Sequence, residues 1–411
     1  MIGITRLLCG GGFAGDALRY ERGAGEAVAG AGPGRGPVVV WNATRRCNLA
    51  CRHCYAEAIP TSAGSRTGGE EESPARPRAG WGGQELTTAE GMALLDDLAA
   101  FRVPVLLLSG GEPLLRPDFF DLVDRAGAKG VRVTVSTNGT LIDRATAGRL
   151  KKAGVGYVGI SLDGLAAEND FFRGRRGAFD AAVAGIRHCR EAGQKVGLRL
   201  TLSRHNFRQL PEIMKLVEEE DIPRVCFYHL VYTGRGKSLQ GDDLSREETR
   251  AAVDSIMGWV EDMDRRGLPR EVLTVDNHAD AVYLYLRVRA RDPLAAGRVW
   301  SLLLANGGNR SGMAIGQVDW GGEVHPDQFS GTHPLGNVRE RPFSDIWTDA
   351  SQPLLSMLRD RRQYLKGRCA ACRWLSVCNG NFRARAEAAT GDYWQADPAC
   401  YLTDEEIGLP A

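Results

Sequence analysis

At 411 residues and a formal net charge of +1, the chain is too long for one ordinary core, and nothing in its charge points to a nucleic-acid or membrane surface. No apolar run reaches membrane-spanning length, and the opening Met1-Ile-Gly-Ile-Thr-Arg-Leu-Leu-Cys9 lacks the long apolar segment and cleavage site of a signal peptide. Seven of the ten cysteines fall in two clusters, which points to metal ligation in a reducing, cytoplasmic compartment rather than to a secreted disulfide framework.

Residues 1–36 read as an N-terminal segment. Pro37–Trp41 predicts the first strand, which feeds Thr44-Arg-Arg-Cys47-Asn-Leu-Ala-Cys51-Arg-His-Cys54-Tyr55. Thiolates at this C-x3-C-x2-C spacing can hold three irons of a cubane [4Fe–4S] cluster and leave the fourth open. The alternative, a zinc knuckle, favours two C-x2-C pairs. Residues 56–84 are rich in Gly, Ser, Pro and Arg and read as a flexible or disordered loop over the site.

A helix over 87–100 opens with a capping box, Thr87 or Thr88 with Glu90. The run Val103–Ser109 reads as a buried strand ending in Gly110-Gly111-Glu112-Pro113, where two glycines let the backbone approach a ligand closely and a carboxylate can receive an ammonium group. Helices near 118–129, 143–153, 178–192 and 208–220 alternate with strands at 131–137, 156–162, 195–202 and 224–231. Six strand–helix units over 37–265 predict an α/β fold, a parallel (β/α)6 partial barrel with its chemistry at the strand C-termini. Ser136, Asn138 and Asp163 lie at such ends, and Arg199 lies along the fifth strand as a partner for a carboxylate. Asn-Gly and Asp-Gly are also plain turn signals. Cys189 and Cys226 read as buried apolar residues.

Residues 266–340 read as linker helices and a hairpin, Gly316–Asp327, and residues 341–411 as a second metal-binding domain. There Cys369-x2-Cys372-x5-Cys378 is followed by Cys400, a set that can hold a fully ligated [4Fe–4S] cluster or a four-thiolate zinc ion.

The three-cysteine loop with its downstream Gly-Gly-Glu-Pro resembles the radical S-adenosylmethionine (SAM) superfamily, and the second cluster resembles its SPASM/Twitch extension. The resemblance implies a SAM-binding [4Fe–4S] cluster on Cys47, Cys51 and Cys54. It also implies SAM contacts from Gly110, Gly111, Glu112, Pro113, Ser136, Asn138, Asp163 and Arg199. Asp327 stands where the fuller SPASM pattern has a cysteine, so one auxiliary cluster is expected.

Val38–Cys47, Phe227–Gly236, Leu273–Asp280, Asn306–Asn309 and the tail Asn379–Leu402 resemble radical SAM enzymes that trim tetrapyrroles. The implied reaction is removal of two acetates from 12,18-didecarboxysiroheme to give Fe-coproporphyrin III, with removal of propionates as the alternative. The implied electron source is a ferredoxin- or flavodoxin-like donor. An iron tetrapyrrole bearing carboxylates makes Arg235, Arg383 and Arg385 candidate carboxylate partners, and His229, with His278 and His325 behind it, a candidate near the iron. A peptide-modifying enzyme is the less favoured reading, because only about 36 residues precede the first strand. A non-catalytic iron–sulfur carrier would leave the Gly-Gly-Glu-Pro turn without a purpose.

Overall fold

Seven strands run side by side and parallel, Val38–Thr44 (β2), Val105–Gly110 (β3), Arg132–Thr137 (β4), Tyr157–Ser161 (β5), Val196–Leu202 (β6), Arg224–His229 (β7) and Glu271–Val275 (β8). The computed structural model describes residues 1–20, 36–61 and 84–409; the central part of the loop expected at 56–84 lies outside the described residues. The first six of these strands are the expected barrel. Their interiors are buried, as a parallel sheet covered on both faces requires.

The sheet does not stop at six. Beyond β7 comes β8, in a stretch expected to be linker; beyond β2, Ile315–Val318 (β9) pairs in parallel with Val38–Trp41. The hairpin partner of β9 is Glu323–His325 (β10), followed by Gly336–Asn337 (β11). On the far edge Ile2–Gly3 (β1) pairs antiparallel with β8, so the order is β1-β8-β7-β6-β5-β4-β3-β2-β9-β10-β11. The N-terminal segment and the hairpin are therefore edges of one sheet. The linker reading failed at β8 because a strand of five residues, Glu-Val-Leu-Thr-Val, is too short for periodicity alone to separate it from loop.

The expected helices are present with boundaries shifted by a residue or two. Thr87 caps the helix Thr88–Ala100 with the reciprocal Glu90 bond, and Glu90 also pairs with Arg339 at 2.7 Å, which ties the hairpin region to the barrel. The helix Ala166–Arg173, which follows β5, was not foreseen. Cys189 and Cys226 are buried, as expected. Among the described residues no helix is long and apolar enough to cross a membrane.

Candidate active site and cluster centres

Chain leaving β2 forms a loop that sets Cys47, Cys51 and Cys54 around one cavity at the C-terminal ends of the parallel strands. The cavity encloses about 1000 Å³ counted out to its mouth. Each thiol has one N–H donor: Leu49 N to Cys47 Sγ (3.4 Å), Ala58 N to Cys54 Sγ (3.5 Å) and Arg173 Nη1 to Cys51 Sγ (3.7 Å). Burial pushes the Cys47 thiol up to about 12 and raises Cys51 as well, so binding a metal here must release protons. Three converging sulfurs with hydrogen bonds already in place fit a cubane cluster held by three cysteines.

The Gly-Gly-Glu-Pro turn is packed against this loop. A Cβ on Gly110 would lie 2.3 Å from Thr44 O, and one on Gly111 2.2 Å from Arg46 O. Gly111 N and Glu112 N donate to those same two carbonyls at 2.7 and 2.8 Å. The glycines thus admit the cluster loop's own backbone, and they, rather than Glu112, line the cavity. Glu112 is fully buried behind them. Its carboxylate accepts from Thr137 Oγ1 (2.8 Å), Asn138 N (2.9 Å) and Leu114 N (3.2 Å). Burial pushes it up to about 7 against those three donors. Pro113 begins a short 3-10 turn behind the glycines.

Ser136, Asn138, Asp163 and Arg199 all line the cavity. Asn138 Nδ2 donates to Asn48 Oδ1 at 2.8 Å, a further tie to the cluster loop. Asp163 accepts from Thr201 N (3.0 Å) and is ion-paired with Arg173 and, at 3.0 Å, with His53. Burial alone would raise its carboxyl, but the Arg173 guanidinium and His53 hold it well below the usual carboxylate range. Arg199 lies 4.9 Å from the centre of the Tyr228 ring and makes no ion pair among the described residues. Gly159 beside it leaves room, since a Cβ there would meet Arg199 Cδ at 2.6 Å.

His229 also lines the cavity, and its Nε2 lies 2.8 Å from Asp280 Oδ2. Tyr401 donates to Asp280 Oδ1 at 2.8 Å. A carboxylate on one ring nitrogen is the arrangement that orients a metal-ligating histidine. Nδ1 has no protein partner among the described residues.

The other substrate candidates divide sharply. Arg235 lines the cavity, but it straps the cluster loop: N donates to Cys54 O (3.0 Å), Nε to Cys51 O (2.7 Å) and Nη1 to Ala58 O (2.9 Å). Arg383 and Arg385 require correction. Both are completely buried, away from the cavity wall. Arg383 donates to the carbonyls of Gly380, Tyr393 and Gln395; Arg385 binds Asp397 and the carbonyls of Leu230 and Asp276. Their donors, Arg383 Nε apart, are spent on the fold. His278 stacks near Phe382, and His325 sits on β10 beside Asp319 and Glu323; neither lines the cavity.

Sequence reasoning missed several residues of the wall, Arg173, His53 and Asp276 among them. Arg173 and His53 carry no distinguishing pattern, because their roles come from contacts with Asp163. Asp276 follows β8 with φ +67°, is buried, lines the cavity and has no side-chain partner among the described residues. Burial pushes its carboxyl up to about 6. Val272-Leu-Thr-Val275-Asp276-Asn277, an apolar run closed by Asp-Asn, was the available signal.

Cys369, Cys372, Cys378 and Cys400 gather at a second place. Burial raises the Cys378 thiol, and its neighbours Cys400, Cys369 and Cys372 raise it further. Trp374 N donates to Cys372 Sγ at 3.4 Å. The Asn306–Asn309 turn closes on this group: Asn309 N donates to Cys378 O at 3.1 Å, and a Cβ on Gly308 would lie 2.4 Å from that oxygen. Four thiols gathered with Cys378 at their centre fit an auxiliary cluster with every iron ligated. Asp327 Oδ1 instead accepts from Phe329 N and Ser330 N at 2.8 and 2.9 Å, and Oδ2 has no partner among the described residues.

A parallel barrel with an open three-thiol site at its mouth and a four-thiol module beside it defines an iron–sulfur enzyme of the radical-generating class. Residues 41–217 match the Radical SAM superfamily and residues 313–373 match SPASM, an iron-sulfur cluster-binding domain that here begins ahead of residue 341. The chain belongs to the radical SAM superfamily and carries a SPASM domain. Its cofactors are a SAM-binding [4Fe–4S] cluster, SAM and an auxiliary [4Fe–4S] cluster. It is 52% identical over 414 residues, 99% of each chain, to Fe-coproporphyrin III synthase of Methanosarcina barkeri. It is 44% identical to pre-heme d1 synthase of Dinoroseobacter shibae over 90% of this chain and 88% of that one. The fold is shared with SuiB of Streptococcus suis, at a TM-score of 0.68 and 17% identity over 90% of this chain and 76% of that one.

Proposed function

We propose that the chain is a radical SAM enzyme of haem biosynthesis that removes two acetate side chains from 12,18-didecarboxysiroheme to give Fe-coproporphyrin III. The observation that carries this reading is the 52% identity to Fe-coproporphyrin III synthase over 99% of both chains. The alternative, removal of propionates from the same substrate, has in its favour the 44% identity to pre-heme d1 synthase.

When bound, the cluster held by Cys47, Cys51 and Cys54 would supply, with SAM, the hard chemistry of reductive SAM cleavage. The chain's own residues hold and shield the reactants. Ser136, Asn138 and the Gly110–Gly111 backbone form the wall on the SAM side, and Arg199 is the cation for a carboxylate. Support for Arg199 is its place on the cavity wall without an anionic partner among the described residues. His229, oriented by Asp280, faces the tetrapyrrole iron through Nδ1; support is the 2.8 Å bond at Nε2. Phe329 lines the cavity and packs edge-on against Tyr55, ring centres 5.2 Å apart, an apolar stretch of wall that keeps water from the reactants. Electrons come from a ferredoxin- or flavodoxin-like donor, and the protein works in the cytoplasm, where free thiols persist.

The test is anaerobic incubation of reconstituted protein with SAM, dithionite and 12,18-didecarboxysiroheme, with mass spectrometry of the tetrapyrrole. Loss of two acetates with 5′-deoxyadenosine is the expected result. Loss of propionates establishes the alternative, and deoxyadenosine with an unchanged tetrapyrrole sinks both substrate readings.

A further inference from the structure

The cluster loop is clamped from one side by a single element. Ala50 N donates to Arg173 O at 3.2 Å and Arg52 N to Phe172 O at 2.9 Å. Gly174, with φ +64°, ends the helix so closely that a Cβ there would lie 2.9 Å from Ala50 O. Out of this clamp the Arg173 side chain, itself buried, sends Nη1 to Cys51 Sγ and Nη2 to Asp163. His53 meets the same carboxylate from inside the loop. The donors on Cys47 and Cys54 are neutral backbone amides. Among the described residues Cys51 alone of the three has a cationic side chain on its sulfur.

We propose that Arg173, held in place by Asp163, sets the reduction potential of the three-cysteine cluster. Reduction adds a negative charge to the cluster. A buried guanidinium donating to a ligand sulfur stabilises the reduced form more than the oxidised one, and water screens it little at this depth. Asp163 acts in the opposite sense electrostatically, but it fixes the guanidinium so that Nη1 stays on the sulfur. Arg173 is thus a positioning and tuning residue. The proposal rests on the radical SAM cluster and not on the tetrapyrrole reading.

EPR-monitored redox titration of the reconstituted full chain, without tetrapyrrole, tests it; the signal that changes on adding SAM identifies the cluster. Arg173→Met is expected to lower the reduced-to-oxidised ratio at fixed potential at least tenfold, a shift of about 59 mV for a one-electron couple. Arg173→Gln, which keeps an N–H donor without the charge, is expected to shift the same way by less. Asp163→Asn, which keeps an oxygen acceptor to hold the guanidinium but removes a negative charge, is expected to shift the potential upward. Iron content is measured for each. A wild-type potential in an iron-replete Arg173→Met protein overturns the proposal, as do shifts of the same sign from Arg173→Met and Asp163→Asn. Should Arg173→Met fail to load iron, a wild-type potential in Arg173→Gln overturns it too, because only a structural role would then remain. Since no tetrapyrrole is present, the substrate reading and this one can fail separately.

Discussion

Arg385 and Asp397 form a two-bond ion pair in complete burial, Nε to Oδ1 at 2.8 Å and Nη2 to Oδ2 at 2.9 Å. Arg385 also binds the carbonyls of Leu230, just past β7, and Asp276, just past β8, so the pair joins the SPASM region to the barrel mouth. Removing one partner of such a pair leaves a buried charge uncompensated, at a cost of about 3–5 kcal/mol. Arg385→Met should therefore lower the thermal midpoint of the loaded protein strongly, while Arg176→Gln on the exposed surface should stay within about 0.5 kcal/mol of wild type. Unfolding scans decide it. A stable Arg385→Met protein whose only defect is a raised KM for tetrapyrrole would restore Arg385 as a substrate contact.

Gly111→Ala places a methyl group 2.2 Å from the Arg46 carbonyl, a backbone atom that cannot step aside without moving the cluster loop. The expected outcome is selective loss of the three-cysteine cluster. Iron and sulfide analysis should fall from about eight irons per chain, two cubanes, to about four. Unchanged iron content would mean that the loop tolerates the displacement.

Asp276 carries a pH signature. Its folded value of about 6 lies above the ordinary 3.8, so the folded state holds the proton more tightly than the unfolded chain. The resulting stability is present below about pH 4 and is lost as pH rises to about 6 and beyond, for a total near 3 kcal/mol. Asp276→Asn removes the titration and suits the left-handed backbone at this position. Urea unfolding of the metal-free protein should show little gain over wild type near pH 4 and a gain that grows to about pH 7 and then levels off. A constant difference across that range would refute the assignment.

The auxiliary centre is tested by comparing Asp327→Ala with Cys400→Ala. Asp327 spends Oδ1 on two backbone amides of its own turn, so its loss should leave the iron count at about eight. Cys400 stands among the four gathered thiols, so its loss should remove or degrade the auxiliary cluster. Equal iron loss in both variants would make Asp327 a ligand.

The two metal centres were legible in the residues themselves. Thiolate spacing is a local property, and Cys47, Cys51 and Cys54 must converge because few residues separate them. The six barrel strands and the capping box at Thr87 were legible for the same reason, since apolar runs and caps act over one or two turns. The roles of the arginines were not. Arg199, Arg235, Arg383 and Arg385 look alike in sequence, yet one faces the cavity with no ion pair among the described residues, one straps the cluster loop and two are sealed in the interior. Their fates depend on partners distant in the chain: Tyr228 for Arg199, Cys51 for Arg235, Asp276 and Leu230 for Arg385. Arg173 and Asp276 went unnoticed because each acquires meaning only where separate strand ends meet. The sequence by itself determined which metal chemistry the protein carries, through ligand spacing; the tertiary structure decided which charges meet that chemistry, because burial and pairing arise only when distant segments pack.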